Sequence, residues 1–236
     1  MLIRRAWITF IKTLHEVYNI FTHNISQIIY HVVNVVNNFM EYTIKQFEQQ
    51  VAKFFGAPYG VATDSCTHGI ELCLRYTKPT TTIIIPRQTY ISIPMTLKKL
   101  ELPFIWNAIP WKEHYWLLGT QIIDAAVMWR ENSYQKGTYT VISFQYKKHL
   151  NLVRGGMILC DDKAAANTLK KMSYDGRDPN VPWREQDIDT MGYHYYMPPE
   201  TAQLGLEKLP NAIHTKPTKI WDWNDYPDLS EMRVFK

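Results

Sequence analysis

Apolar residues recur at helical spacing along the first part of the chain. A short stripe is followed by a longer one, and together they comprise Phe10, Leu14, Val17, Phe21, Ile25, Ile28, Ile29, Val32, Val33, Val36 and Met40. Because residues three and four apart share one face of a helix, the pattern predicts an N-terminal helical segment over residues 1–42. Core packing, a second subunit or a membrane could cover such a face, and the few basic residues beside the longer stripe disfavour a membrane.

The next helix is predicted to begin at a capping box. Thr43-Ile-Lys-Gln46 places a hydroxyl and an amide three residues apart, and Gly56 and Pro58 are expected to stop the helix. Its inner face would consist of Phe47, Val51 and Phe54.

Beyond this helix, short runs of β-branched and aromatic residues alternate in part with helical patterns. The predicted strands cover residues 59–63, 81–85, 103–106, 121–123, 139–143 and 157–160, and the predicted helices include 67–76 and 163–172. This alternation is typical of the α/β class. It predicts a three-layer sandwich with a mainly parallel sheet.

Composition limits the class of protein. The chain has 236 residues, 46% of them hydrophobic, which suits one α/β domain with a substantial core. Its net charge of +4 is small and scattered, so a nucleic-acid binder is not expected. The three cysteines form no Cys-x-x-Cys pair, which argues against a disulfide framework or a zinc site and favours a cytoplasmic location. Neither a signal peptide nor a membrane span is expected.

Three reactive side chains follow two neighbouring predicted strands. Asp124 closes one apolar run, and Ser143 and Lys148 close the next. Open α/β sheets bind ligands at the carboxyl edge, so a carboxylate, a hydroxyl and an amine would meet there. Pyridoxal phosphate (PLP) needs these groups, for its ring nitrogen, its phosphate and its aldehyde. On spacing alone, Asp124 remains equally a cap or turn residue, Ser143 a strand residue and Lys148 a solvated charge.

Motifs along the chain carry a further resemblance. Short blocks begin at Phe47, Ser65, Ile84, Ile123, Ser143, Gly192 and Ala202, and Gly155-Gly156 follows the Ser143 block. In this order they resemble the DegT/DnrJ/EryC1/StrS sugar aminotransferases, which are fold-type I, PLP-dependent enzymes of nucleotide-sugar metabolism. The resemblance covers about residues 47–209. It implies a PLP-binding large domain over 43–209, followed by a short C-terminal tail over 210–236.

The resemblance also implies roles for individual residues. Lys148 matches the lysine that holds PLP and moves the proton during catalysis, and Asp124 matches the aspartate that pairs with the pyridine nitrogen. Tyr90 matches the aromatic residue that stacks on the ring. By the same resemblance, glutamate is the expected amino donor, and a keto group on a nucleotide-linked sugar is the acceptor. A homodimer is expected as well.

The remaining cofactor residues are expected to hold the phosphate. The turn Ser65-Cys66-Thr67 matches the family's Ser-Gly-Thr at a helix N-terminus, so Thr67, the backbone at Cys66 and the Ser143 hydroxyl would contact it. His194 replaces an Asn that normally reaches the phosphate of the neighbouring subunit. It is kept as a candidate because it can still donate a hydrogen bond.

Several departures from the family pattern keep other functions open. Cys66 replaces a glycine, Val127 replaces a Gln or His, Arg154 replaces an acid, and Tyr196 replaces an Arg. Family members normally continue into a smaller second domain, whereas here an aromatic tail follows, which would either cap the site or dock as a structural segment. Two alternatives to an aminotransferase therefore stay open. One is a PLP-dependent dehydratase, in which histidine typically replaces the lysine, and the other is a non-catalytic scaffold.

Overall fold

The computed structural model describes residues 12, 22, 25, 27–29 and 41–236. The chain divides into two compact units, Met1–Tyr42 and Thr43–Lys236. In the first unit, Ile25, Ile28 and Ile29 are helical and exposed. The other residues of the two apolar stripes lie outside the described residues, so the N-terminal helical segment stays a prediction.

The second unit alternates helices and short strands. The strands are β1 Tyr59–Thr63, β2 Ile83–Pro86, β3 Phe104–Asn107, β4 Tyr115–Leu117, β5 Ile122–Asp124, β6 Tyr139–Ser143 and β7 Gly156–Cys160. The helices are α1 over 41–55, α2 Cys66–Thr77, α3 Ser92–Lys99, α4 Lys163–Ser173 and α5 Pro199–His214. Short 3₁₀ turns follow at Trp183–Glu185, Trp223–Asp225, Leu229–Glu231 and Arg233–Phe235.

The strands form a mixed sheet. Five of them lie in the order β1-β7-β6-β5-β4, and backbone hydrogen bonds between Ile84 and Leu118 connect the β2-β3 pair to the β4 edge. The pairs β5-β6 and β2-β3 are parallel, whereas β1-β7, β7-β6 and β5-β4 are antiparallel. The sheet is therefore not mainly parallel as predicted. Only residues 118–121 join β4 to β5, and a parallel pair needs a crossover of about a dozen residues or more.

Helices cover both faces of this sheet, which confirms the α/β class and the three layers. Helices α1 and α5 pack on one face, where Phe47 of α1 meets Phe144 with ring centroids 5.3 Å apart. Helices α2, α3 and α4 pack on the other. Neighbouring strand residues alternate between the two cores, as Ile122 and Ile123 do, because successive side chains of a strand point to opposite faces.

The predicted elements agree with the structure except at particular places. Strand β4 and helices α3 and α5 were not predicted. Residues 41 and 42 are already helical, so Thr43 does not begin α1, although the predicted inner face of that helix is buried. Helix α5 continues through Pro210, past the domain boundary at 209/210 that the resemblance implies, and that boundary stays a prediction.

Among the described residues, no helix is both long enough and apolar enough to cross a membrane.

Candidate active site

A cavity of about 310 Å³ lies at the carboxyl edge of β5 and β6. Because these strands are parallel and adjacent, their ends Asp124 and Ser143 come to the same edge of the sheet. The cavity brings together six of the seven residues that the sequence singled out, namely Asp124, Lys148, Ser143, Tyr90, Cys66 and Thr67.

Asp124 is a buried carboxylate with defined hydrogen-bond partners. It is 5% exposed, its Oδ1 accepts from the backbone N–H of Ala126 at 3.0 Å, and its Oδ2 accepts from the Tyr115 hydroxyl at 2.5 Å. Burial raises the pKa of Asp124, although these two hydrogen bonds and the charge of Lys148 act in the opposite direction. A cationic partner in the cavity would favour the charged carboxylate further.

Lys148 presents a largely buried amine to the same cavity. It lies in a tight turn after β6, in which its backbone N–H donates to the Gln145 carbonyl at 2.8 Å. Burial lowers the pKa of the Lys148 amine, and the nearby Cys66 and Asp124 counteract this only in part. More of the amine is therefore neutral near pH 7 than in an exposed lysine, and the neutral amine is the nucleophilic form.

The N-terminus of α2 forms the opposite end of the cavity. Ser65 caps the helix, and its hydroxyl oxygen accepts from the His68 N–H at 3.2 Å. The first N–H groups of a helix have no carbonyl partner within it, so those at Cys66 and Thr67 suit an anion. Ser143, at the end of β6, and the Thr67 hydroxyl, which donates to Ser92 at 2.9 Å, add oxygen groups beside them.

Cys66 fits the turn at residues 65–67 without the freedom of a glycine. Ser65, the capping residue, has extended backbone, and Cys66 begins α2 with no positive φ. The buried Cys66 thiol points to β6, with Sγ 3.7 Å from the Val141 carbonyl oxygen. The substitution thus fills core space and leaves the backbone N–H of the turn available.

Gly156 allows this turn to lie against β7. A Cβ at position 156 would be 2.4 Å from the backbone nitrogen of Cys66 and 2.5 Å from the carbonyl carbon of Ser65. The second glycine of the Gly155-Gly156 pair is therefore required by the close approach of the turn to the sheet.

Arg154 adds a cation at this end of the cavity. Its Nη2 lies 2.6 Å from Asp64 Oδ2, and its Nε donates to the Asp64 carbonyl at 3.2 Å. The side chain is 67% exposed, so this ion pair contributes at most about 1 kcal/mol. The guanidinium can therefore turn toward an anion at little cost.

Aromatic side chains from distant parts of the chain form the remaining wall. Tyr90 is 56% exposed and lies at the rim of the cavity. The Trp111 ring packs on the rings of Tyr115 and Tyr226, with centroid distances of 5.0 Å and 5.5 Å respectively. Trp221 is within cation–π reach of Lys148, with Nζ 5.7 Å from the ring centroid. The C-terminal tail thus both docks on the domain and lines the cavity, which combines the two alternatives left open by the sequence.

A second cavity of about 350 Å³ adjoins the first. The two share six lining residues, namely Ala126, Val127, Ser143, Lys147, Lys148 and Trp221. Lys148 therefore faces space on two sides, and a molecule in the second cavity could reach its amine.

His194 is the one predicted site residue that lies outside the cavity. Its Nδ1 is 3.0 Å from Asp175 Oδ2, and its side chain is 73% exposed. The neighbouring Tyr195 packs inside this chain, with its ring stacked on His68 at 3.7 Å between centroids. Of the block around residue 194, the histidine is thus the side chain that remains exposed for a second subunit, and that role stays a prediction.

Sequence reasoning missed part of the cavity wall. The lining residues without a prediction include Ser92, Trp111, Tyr115, Gln145 and Asp225. Trp221 and Tyr226 belong to the aromatic tail, for which a cap on the site was one of two alternatives. A hairpin prediction from Gly119-Thr120 would have paired β4 with β5 and placed Tyr115 opposite Asp124. The tail residues carry no such local signal, because long-range backbone bridges such as Lys112 to Asp222 bring them to the site.

These residues fit pyridoxal phosphate. The cavity volume lies at the lower end of the roughly 300–1,000 Å³ of small-molecule sites. A buried carboxylate for the ring nitrogen, a buried amine for the aldehyde and a helix N-terminus with hydroxyls for the phosphate line one space. Among the described residues, no group of three His, Cys, Asp or Glu side chains is arranged to hold a metal ion.

Comparison with known families agrees with this arrangement. The DegT/DnrJ/EryC1/StrS aminotransferase family matches residues 25–102 and 128–228, which is more than half of the chain. The chain belongs to this family. The stretch 103–127 between the two matches contains both Asp124 and Tyr115, so the place of these residues in the site rests on the geometry described above. No curated protein matches the chain.

Solved structures of the same fold support the fold-type I assignment. Sugar aminotransferase CalS13 from Micromonospora echinospora has a TM-score of 0.59 at 14% identity, with 73% of this chain and 61% of that chain covered. Spr1654 from Streptococcus pneumoniae in its PLP form has a TM-score of 0.58 at 19% identity, with 72% of this chain and 59% of that chain covered. A mutant form of GDP-4-keto-6-deoxymannose-3-dehydratase (ColD) with bound GDP-perosamine has a TM-score of 0.56 at 18% identity, with 72% of this chain and 61% of that chain covered. The chain spans about three-fifths of the length of these proteins.

Proposed function

We propose that the protein is a PLP-dependent aminotransferase that moves an amino group from glutamate to a keto group of a nucleotide-linked sugar. The observation that carries the proposal is the pairing of a buried lysine amine with a buried carboxylate on one cavity, Lys148 with Asp124. Family membership supports the aminotransferase chemistry. The sugar class is carried over from relatives such as CalS13, and the donor from the resemblance noted in the sequence.

Each residue of the cavity has a separate task in this proposal. Bound PLP supplies an aldehyde that accepts an amine and a ring that withdraws electrons from the reacting carbon. Lys148 would hold the aldehyde through Nζ, and its amine would carry a proton to and from the substrate carbon. Asp124 would accept a hydrogen bond from the ring N–H, and its charge would keep that nitrogen protonated.

The phosphate would be held by groups on two elements. The backbone N–H groups at Cys66 and Thr67 lie at the positive end of the α2 dipole, and the Thr67 and Ser143 hydroxyls lie beside them in the cavity wall. Arg154 neutralises a further part of the charge. Trp221 and Tyr226 of the tail exclude water from the reacting groups.

The position of Lys148 favours an aminotransferase over a dehydratase. His149 follows it directly, but the His149 Nε2 lies 3.0 Å from the Ala212 carbonyl oxygen and 3.3 Å from the Thr215 hydroxyl. The ring packs near Trp129 and lines the second cavity, but it is absent from the wall of the cavity that contains Asp124. Lys148, which lines both cavities, is therefore the proposed base.

We also propose that the working enzyme is a two-fold homodimer. The three exposed isoleucines Ile25, Ile28 and Ile29 need a cover that a second copy would supply. His194, exposed beside Asp175, would reach the cofactor phosphate of the partner subunit.

A visible absorption spectrum of the purified protein with added PLP tests the proposed function. A covalent cofactor–lysine linkage gives a band that free PLP and a non-catalytic scaffold do not, and glutamate should remove it as the amino group is transferred. A band that persists with glutamate but changes with a keto-deoxy nucleotide sugar would instead favour a dehydratase. If no band forms, the scaffold alternative is correct.

A further inference from the structure

Tyr115 makes an unusually close contact with the candidate cofactor aspartate. It lies on β4 directly opposite Asp124 in the antiparallel β4-β5 pair, and its hydroxyl donates to Asp124 Oδ2 at 2.5 Å. Tyr115 is 8% exposed and lines the cavity. It lies in the stretch 103–127, which the family does not match.

The direction of the hydrogen bonds around Tyr115 follows from the groups involved. An ionised carboxylate can only accept, so the single hydroxyl proton of Tyr115 must point to Asp124. Thr89 Oγ1 is also in hydrogen-bond contact with the Tyr115 hydroxyl, and it must therefore be the donor in that pair. A chain of donors thus runs from Thr89 through Tyr115 to Asp124.

We propose that Tyr115 is a positioning residue that fixes the Asp124 carboxylate and keeps it charged for the cofactor ring nitrogen. Its role rests on the proposed function. With Oδ1 bound to the Ala126 N–H and Oδ2 bound to Tyr115, both carboxylate oxygens are held by rigid groups. Each oxygen keeps a second lone pair, so the carboxylate can still accept a ring N–H in the cavity.

The need for such a donor comes from the surroundings of Asp124. Burial alone favours the neutral carboxylic acid, which cannot hold a ring nitrogen in the protonated form. The other titratable groups that affect Asp124 or are affected by it are Lys148 after β6, Cys66 on α2 and Tyr226 of the tail. Of these, Lys148 opposes the neutral form, but its own burial favours the uncharged amine. Tyr115 would then be the side-chain donor that still favours the charged aspartate.

The Tyr115→Phe variant separates this role from packing. It keeps the ring that packs 5.0 Å from Trp111 and removes only the hydroxyl. Tyr134→Phe is the matched control, because it removes a tyrosine hydroxyl that donates to the Thr138 carbonyl at 3.0 Å, outside the cavity. Thr89→Val shortens the donor chain by one step without changing Tyr115.

The direct readout is the titration of Asp124 in the cofactor-free protein, followed by carboxyl ¹³C NMR and assigned through Asp124→Asn. Tyr115→Phe should raise the titration midpoint by at least about one pH unit, since a hydrogen bond to a charged group is lost. Thr89→Val should raise it by less, and Tyr134→Phe should leave it unchanged. An unchanged midpoint in Tyr115→Phe overturns the proposal, and if that variant does not fold, an unchanged midpoint in Thr89→Val does so.

A second readout uses the protein loaded with PLP. Tyr115→Phe should slow the reaction with glutamate about tenfold or more while the PLP dissociation constant changes less than about threefold, because the phosphate contacts remain. If the dissociation constant rises as much as the rate falls, Tyr115 contacts the cofactor and is not a positioning residue. The NMR arm needs no cofactor, so a protein that fails to bind PLP refutes the proposed function and leaves the Asp124 titration to be judged separately.

Discussion

Gly156→Ala would separate the turn at residues 65–67, the proposed phosphate site, from the sheet. The added Cβ would lie 2.4 Å from Cys66 N, 2.5 Å from the Ser65 carbonyl carbon and 2.8 Å from Cys66 Cα. Ordinary contacts between such atoms are about 3.5–4.0 Å, so the turn must move by about 1 Å. All three atoms belong to the backbone, so no side-chain rotation can relieve the contact.

Two magnitudes follow from this displacement. Overpacking of this kind costs about 1–3 kcal/mol, which lowers the melting temperature of a chain of this size by about 2–4 °C for each kcal/mol. A shift of 1 Å also weakens the N–H contacts to the phosphate. Losing one charge-assisted hydrogen bond costs about 1.5–3 kcal/mol, so the PLP dissociation constant should rise about 10- to 100-fold.

Thermal unfolding and a PLP binding titration measure the two effects. Gly205→Ala is the control, because its Cβ would meet the Phe47 ring at 2.4 Å, between α5 and α1 and away from the cavity. The control should lose stability and keep its affinity for PLP. If Gly156→Ala binds PLP as tightly as the native protein, the turn at residues 65–67 does not hold the phosphate.

Three other experiments test separate parts of the account. Asp124→Asn should change PLP affinity by only a few-fold but slow transamination about 100-fold or more, as measured by stopped-flow absorption. A native rate in this variant would mean that Asp124 has a structural role only. Burial raises the pKa of Glu71, but hydrogen bonds from Lys99 and Arg75 lower it by more, so this pKa lies below its usual 4.5. Glu71→Gln should therefore cost about 1–3 kcal/mol in urea unfolding at pH 7, with the difference shrinking as pH falls below about 4.5, whereas a constant difference would contradict the pairing. Mixed Lys148→Ala and His194→Ala chains should recover activity if His194 acts across a dimer, and a fully active monomer would exclude it.

The sequence predicted the fold where strands are long and regular. Runs 59–63 and 139–143 match β1 and β6 because each combines the β-formers Tyr, Val and Thr within five residues. Strand β4 has three residues and, unlike the equally short β5, no β-branched residue, so the hairpin that makes the sheet mixed was missed.

The candidate site was predictable to the extent that its residues end elements. Asp124 and Ser143 terminate β5 and β6, and the turn at Ser65 begins α2, so each has a position that sequence reports. Trp221 and Tyr226 reach the cavity only because the tail folds back across the domain. Their contribution depends on tertiary contacts between residues far apart in the chain, which local patterns do not record.

Borohydride reduction of the PLP-loaded protein, followed by peptide mapping, tests the central claim most directly. Reduction makes the cofactor–lysine bond permanent, so the labelled residue is the one whose amine reaches the aldehyde. Lys147 is the internal comparison, because it also lines the cavity but its side chain lies over the Tyr146 ring, with Nζ 5.5 Å from the centroid. The account predicts a label on Lys148 that disappears in Lys148→Ala. A label on Lys147, or no label on either lysine, would contradict it.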